Sequence, residues 1–207
     1  NSSMQPTTTL TLSFWANFQQ DANWMLSNGG WGQASSGNNG YSIQTFAGRS
    51  LRFYLGDGTT SSYFGTNSGV FELNKWHNIV ITYDNGTAII YIDRNIVTWL
   101  NSPTINSIAY SASYNPFFGS VNSGGAGANA YDGQLSNVQI WDKKIEQADV
   151  TTLYNNGQPL MTGTQPEASN LKAWWKLNQS ANWEADTAGE WQIPDALSSY
   201  PQSFNFN

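Results

Sequence analysis

The side chains in this sequence that could do chemistry are mostly rings and amides rather than acids, bases and nucleophiles. One histidine, His77, is present, and there is no cysteine. A Ser-His-Asp triad or a histidine-based metal cluster would therefore have to run through His77, and neither a thiolate site nor a disulfide framework exists. His77 follows Trp76 at the start of an apolar, β-branched run, the setting of a structural residue at a strand start. Glycan recognition needs different groups: an exposed aromatic face flanked by amides and carboxylates. Trp31 in a Gly- and Asn-rich stretch, with Tyr41, Trp99, Tyr110 and Tyr114 at turns and loop edges, are the candidate ligand platforms. Trp15, Trp76, Trp141 and at least one of Trp174 and Trp175 read instead as core or interface anchors.

Composition narrows the classes further. Of 207 residues only 11% are charged, with eight Lys and Arg and a formal net charge of -6. Nucleic-acid binding calls for clustered cations to neutralise phosphates, and scattered basic residues do not supply them. No apolar run approaches the roughly 20 residues of a membrane helix, so membrane insertion is not expected. An Asn-, Gly-, Ser- and Thr-rich surface crossed by aromatics is common in extracellular β proteins and glycan binders. A chain of this length buries about 70% of its extended surface and can build a full core.

The elements that must position these side chains are strands. Asn74 to Tyr83 and Thr87 to Ile92 are β-branched and aromatic runs separated by Asp84-Asn85-Gly86, a strong hairpin signal because Asn and Gly accept positive φ. Leu10 to Phe18 alternates apolar and polar residues, which predicts a strand with one buried face. Trp24 to Ser27, Tyr41 to Phe46, Leu51 to Leu55, Tyr63-Phe64, Val70-Phe71, Phe117 to Val121 and Tyr131 to Trp141 are further strand candidates. Asn122 to Asn129, rich in Gly and Ala, is read as a loop. A helix is expected from about Glu146 to Asn155, with Gly157 as its left-handed stop. Thr162 to Asn170 is linker-like, and Leu171 to Leu177 opens a new apolar unit. One short helix beside about a dozen strands implies an all-β sandwich.

Four segments carry a family signature: Trp76-His77-x-Ile79-Val80-x-Thr82-Tyr83-Asp84-x-Gly86; Ile90-Tyr91-Ile92-Asp93; Tyr131-Asp132-Gly133-x-Leu135-x-x-Val138-x-Ile140-Trp141; and Leu153-Tyr154-Asn155-Asn156-Gly157. With Ser13-Phe14-Trp15, they resemble the laminin G-like jelly-roll group of the concanavalin A-like lectin and glucanase superfamily, over most of residues 10 to 160. The resemblance implies an all-β, two-sheet antiparallel jelly-roll sandwich with one short helix. It also implies calcium, for which Asp57, Asp84, Asn129 and Asp132 are the oxygen donors able to contribute. Asn137 and Asn95 stand where relatives often carry an acidic residue and a second glycine. The superfamily's hydrolases carry paired carboxylates in a pattern like E-x-D-x-E, and Glu184-Ala185-Asp186 followed by Glu190 has too wide a second gap. That stretch reads as a solvated acidic loop, and no catalytic residue is assigned.

In such relatives, segments like Leu171 to Leu177 and Phe204 to Asn207 precede the jelly roll, whereas here they follow it. The organisation expected is a laminin G-like domain over residues 1–163 and a terminal segment over 164–207. That segment either completes the same sandwich, opens a following repeat, or pairs with a neighbouring molecule through residues 171–207. The function expected is non-catalytic recognition or adhesion toward a glycan or surface protein, on an extracellular, cell or virion surface. The alternatives are a structural assembly module and, more remotely, a glycoside hydrolase.

Overall fold

The computed structural model describes residues 4–29, 38–111, 116–123, 126–128, 131–177, 184–185, 191–193, 196–197 and 202–203. Two antiparallel sheets face each other. The first runs β13 (Leu171–Trp175), β12 (Gly133–Trp141), β1 (Thr9–Phe18), β6 (Trp76–Asp84), β7 (Thr87–Ile92), β8 (Asn95–Val97). The second runs β5 (Ser61–Gly65), β4 (Ser50–Asp57), β3 (Asn39–Phe46), β2 (Trp24–Gly29), β9 (Pro116–Phe118). The small pair β10 (Val121–Ser123) and β11 (Ala126–Ala128) stands where the sequence suggested a loop, and β14 (Glu184–Ala185), β15 (Trp191–Ile193) and β16 (Gln202–Ser203) form a minor sheet. The fold is the expected two-sheet sandwich with one short helix, α1 (Gln147–Tyr154).

The core follows from strand parity. Leu10, Leu12, Phe14, Ala16 and Phe18 of β1 meet Ile43, Phe53, Leu55 and Phe64 of the opposite sheet, together with Ile79, Ile81 and Tyr83 of β6. The expectation of one buried face on β1 is corrected by the segment after β12. Val80, Tyr91, Trp141, Ile145, Val150, Leu153, Leu171 and Trp174 make a second apolar cluster outside the first sheet. Thr11 of β1 is buried beneath it, and both Thr9 and Thr11 bond the crossing chain. Thr9 Oγ1 donates to the Asp142 carbonyl and Thr11 Oγ1 to that of Lys143, while the Ile145 N–H donates to Thr11 Oγ1.

Local chemistry sets the turns. Asp84 pairs with Thr87, so Asn85 and Gly86 form a two-residue hairpin loop with φ of 44° and 93°. The next hairpin turns on Asp93 and Arg94, both left-handed, and yields β8, which the sequence pattern did not show. Helix α1 opens with a reciprocal capping box between Glu146 and Asp149, and its left-handed cap is Asn155 rather than Gly157. Val70-Phe71 is not a strand: Val70 donates to the Arg49 carbonyl, and Phe71 stacks on Phe18 with ring centroids 4.0 Å apart. The stretch that looked like a linker packs against the sheet, with Gln165 buried and the Pro166 carbonyl accepting the Trp141 indole N–H.

β13 pairs with β12, and Trp175 lies in the main core against Phe118. The Trp174 carbonyl on β13 accepts the Ala196 N–H of the same chain.

Candidate functional site

The aromatics expected as platforms mostly serve the core. Tyr41 alternates with Ile43 on the inner face of β3 and is 2% exposed, so it offers no ring face to solvent. Tyr110 packs edge-on against it and donates its hydroxyl to the Pro6 carbonyl; burial pushes both phenols well above the ordinary pKa. Trp99 is half-buried against Phe64 and donates its indole N–H to the Ala88 carbonyl. The sequence context of Trp99 and Tyr110 was misleading because the 98–110 crossing lies against the sandwich, with Ile105 and Ile108 in the core. Trp31 and Tyr114 lie outside the described residues.

Of the oxygen donors proposed for calcium, Asp57, Asp84 and Asp132 are among the described residues, and each has a local side-chain role. Asp57 accepts the N–H groups of Thr59 and Thr60 and the Thr60 hydroxyl, a side-chain turn that holds its carboxyl below the usual range. Asp84 faces Thr9 at one end of β1, and Asp132 lies beside Phe18 at the other, about 30 Å of extended strand away. Asp84 accepts from Asn85, and Asp132 from Gln20. Asn129 lies outside the described residues, among which no group of three or more His, Cys, Asp or Glu could hold a metal. Asn137 is a left-handed bulge residue whose Oδ1 accepts the Trp174 indole N–H at 2.6 Å.

His77 is structural in its contacts. Its Nε2 accepts the Glu72 N–H at 3.0 Å, and its Nδ1 lies 2.7 Å from Asp93 Oδ2, which fixes the neutral Nδ1–H tautomer. Asp93 Oδ1 also accepts the Asn78 N–H at 2.9 Å. Burial acts to raise the Asp93 pKa, but these hydrogen bonds outweigh it and hold the carboxyl below the usual range. Glu184 lies on β14, and Glu190 is outside the described residues.

The structure assembles a different cluster, on the outer face of the five-stranded sheet. Leu51, Phe53 and Leu55 of β4 point into the core, so Arg52 and Tyr54 point outward. Register sets Tyr54 beside Tyr63 and Arg52 beside Gln44, and Gln44 beside Trp24. The Tyr54 ring lies 5.1 Å from Trp24 on one side and 5.1 Å from Tyr63 on the other. Arg52 lies over Phe46 with its guanidinium carbon 3.3 Å from the ring centroid, and 4.6 Å from that of Tyr63. Its Nη1 donates to the Tyr54 hydroxyl at 3.2 Å, and that hydroxyl donates to Gln44 Oε1 at 3.2 Å. Trp24 is buried, whereas Gln44, Phe46, Arg52, Tyr54 and Tyr63 are partly exposed. Two fixed phenol rings, an amide and a guanidinium on one rigid face can stack on a saturated ring and bond its hydroxyls. The signal was present in Leu51-Arg52-Phe53-Tyr54-Leu55, where the polar members alternate with the core members.

A deeper concavity lies on the opposite sheet. It is a cleft of about 310 Å³ lined by Trp15, Trp76, Ser136, Gly157, Gln158 and Pro159. Trp76, read from the sequence as a core or interface anchor, is not in the core: it stands on the outer face of β6 and is 40% exposed. In its lining Ser136 Oγ is committed to the Lys176 carbonyl, whereas the buried Trp15 indole N–H has no hydrogen-bond partner among the described residues and the Gln158 side chain is exposed.

Residues 1–151 match the family model Laminin_G_3, described as the concanavalin A-like lectin/glucanases superfamily. Comparison with curated protein sequences gave no match. Among solved structures, a candidate carbohydrate-binding protein from Bacteroides ovatus superposes with a TM-score of 0.66 at 16% identity, over 97% of this chain and 54% of its own. This chain thus spans about half the length of that protein. The CBM40 domain of the Ruminococcus gnavus IT-sialidase gives a TM-score of 0.56 at 11% identity, over 73% of this chain and 84% of its own. Domain 4 of an extracellular GH43 arabinanase from Geobacillus stearothermophilus, solved with arabinotriose, gives 0.53 at 15% identity, over 73% and 68%.

Proposed function

This chain belongs to the concanavalin A-like lectin/glucanases superfamily, and we propose that within it the protein is a non-catalytic carbohydrate-recognition module acting outside the cell. The observation that carries the reading is the outer face of β3, β4 and β5, where Tyr54 and Tyr63 stand together with Arg52 and Gln44. Rings held by cross-strand neighbours lose little side-chain freedom on binding, and the sheet beneath them is rigid. The carbohydrate-binding proteins that share the fold at low identity lend the reading analogy only. Among the described residues no helix is long and apolar enough to cross a membrane.

A glycan array followed by calorimetric titration of the strongest hit tests the proposal. The Tyr63→Ala variant is expected to lose at least about tenfold in affinity, as stacking rings do when truncated, while Trp76→Ala on the opposite sheet binds as the native chain does. Absence of any glycan ligand, or a hit insensitive to Tyr63 and abolished by Trp76→Ala, would overturn it.

A further inference from the structure

The cation on this face has an unusual set of partners. Among the described residues the ion pairs to carboxylates are made by Lys75, Lys143, Lys144 and Lys172, and Arg52 is in none of them. Its charge is held instead between the rings of Phe46 and Tyr63, and one N–H is given to the Tyr54 hydroxyl. Ring faces stabilise a guanidinium through its plane and leave its edge, with the remaining N–H donors, unbound. The Tyr54 hydroxyl accepts from Arg52 and donates to Gln44 Oε1, which leaves the amide N–H groups of Gln44 as further donors on the same face. A partly exposed, donor-rich edge with a fixed plane is complementary to a planar, acceptor-only anion.

We propose that Arg52 makes this face selective for a saccharide bearing a carboxylate, such as a uronic or sialic acid residue. Its sugar ring would rest on Tyr54 and Tyr63 and its carboxylate on the guanidinium edge. The inference rests on the recognition function proposed above and adds the chemical class of ligand. Lysine could not replace arginine here, because a point charge neither lies flat between two rings nor offers a two-pronged edge.

The test compares methyl β-glucuronide and the methyl glycoside of N-acetylneuraminic acid with methyl β-glucoside and with the sialoside's methyl ester, titrated into the full chain. A galactoside 6-sulfate serves as a non-planar anion. The carboxylates are expected to bind at least about tenfold more tightly than their neutral counterparts and more tightly than the sulfate. Arg52→Gln should abolish the ratio of acid to neutral affinity, whatever the level of neutral-glycoside binding that remains, and Arg52→Lys should restore only a minor part of it. Circular dichroism and melting of each variant separate loss of binding from loss of fold. Equal binding of acid and neutral sugars, a stronger response to the sulfate, or a preference that survives Arg52→Gln overturns the inference. If neutral sugars still bind in a Tyr63-dependent way, recognition by this face stands and only its selectivity falls. If no sugar binds, both fall.

Discussion

Replacing Asp93 with Asn removes one charge and changes almost nothing else, yet the hydrogen-bond inventory around it cannot be satisfied afterwards. Asp93 accepts from two donors, the Asn78 N–H at 2.9 Å and His77 Nδ1–H at 2.7 Å. An asparagine side chain has one oxygen, so one donor must face its NH₂ group. Switching the His77 tautomer does not help, because Nε2 would then carry a proton aimed at the Glu72 N–H, 3.0 Å away. The backbone gives no competing effect, since the left-handed φ of 50° at Asp93 suits Asn equally well. A hydrogen bond to a charged group contributes about 1.5–3 kcal/mol, and an unmet buried donor costs about 1–3 kcal/mol. Asp93→Asn should therefore destabilise by about 1–3 kcal/mol near neutral pH and lower the melting temperature by about 3–10 °C. The pH dependence has a definite sign. The native carboxyl is held below its unfolded value, so the native chain binds fewer protons than the unfolded one at intermediate pH. Its contribution is complete above the unfolded carboxylate pKa and is lost as pH falls through the folded value. Urea unfolding followed by tryptophan fluorescence, at several pH values from neutral down to about 3, measures both effects. A variant within about 0.5 kcal/mol of native at neutral pH, or one with the same acid slope as native, would refute the reasoning.

Other outcomes follow from burial and turn geometry. Trp175→Ala, in the main core, should cost about 3–5 kcal/mol, while Trp76→Ala should stay within about 0.5 kcal/mol, checked by the same urea titrations. Gly86→Ala should destabilise by about 1 kcal/mol or more, since φ is 93° and the new Cβ would stand 2.5 Å from Asn106 Oδ1; thermal melting reads this. Tyr41, Tyr110 and Tyr131 should resist ionisation in a spectrophotometric alkaline titration until the protein unfolds, because burial raises all three. The native chain then retains protons that the unfolded chain releases, so stability is complete below the ordinary phenol pKa of about 10 and falls as pH rises above it.

The hairpin at Asn85-Gly86, the strands β1, β3, β4, β6, β7 and β12, the helix near 147–154 and the sandwich itself were legible in the sequence because each is encoded locally. Alternation of period two specifies a strand, and Asn-Gly specifies a tight turn whatever surrounds them. Features that depend on which surfaces meet were not legible. Nothing near Thr11 or Ser13 says that residues 142–167 will cross their face and turn a half-buried strand into a fully buried one. The same limit applied to the site. Alternation along Leu51 to Leu55 already sets Arg52 and Tyr54 on one face of β4, but only the pairing of β4 with β3 and β5 brings Gln44 and Tyr63 beside them, and only the packing of the two sheets buries Tyr41. Parity along a strand is a property of the sequence. Which face becomes the interior, and which residues from separate strands become neighbours on the other, is decided when the sheets pack, because burial is a relation between surfaces distant in the chain.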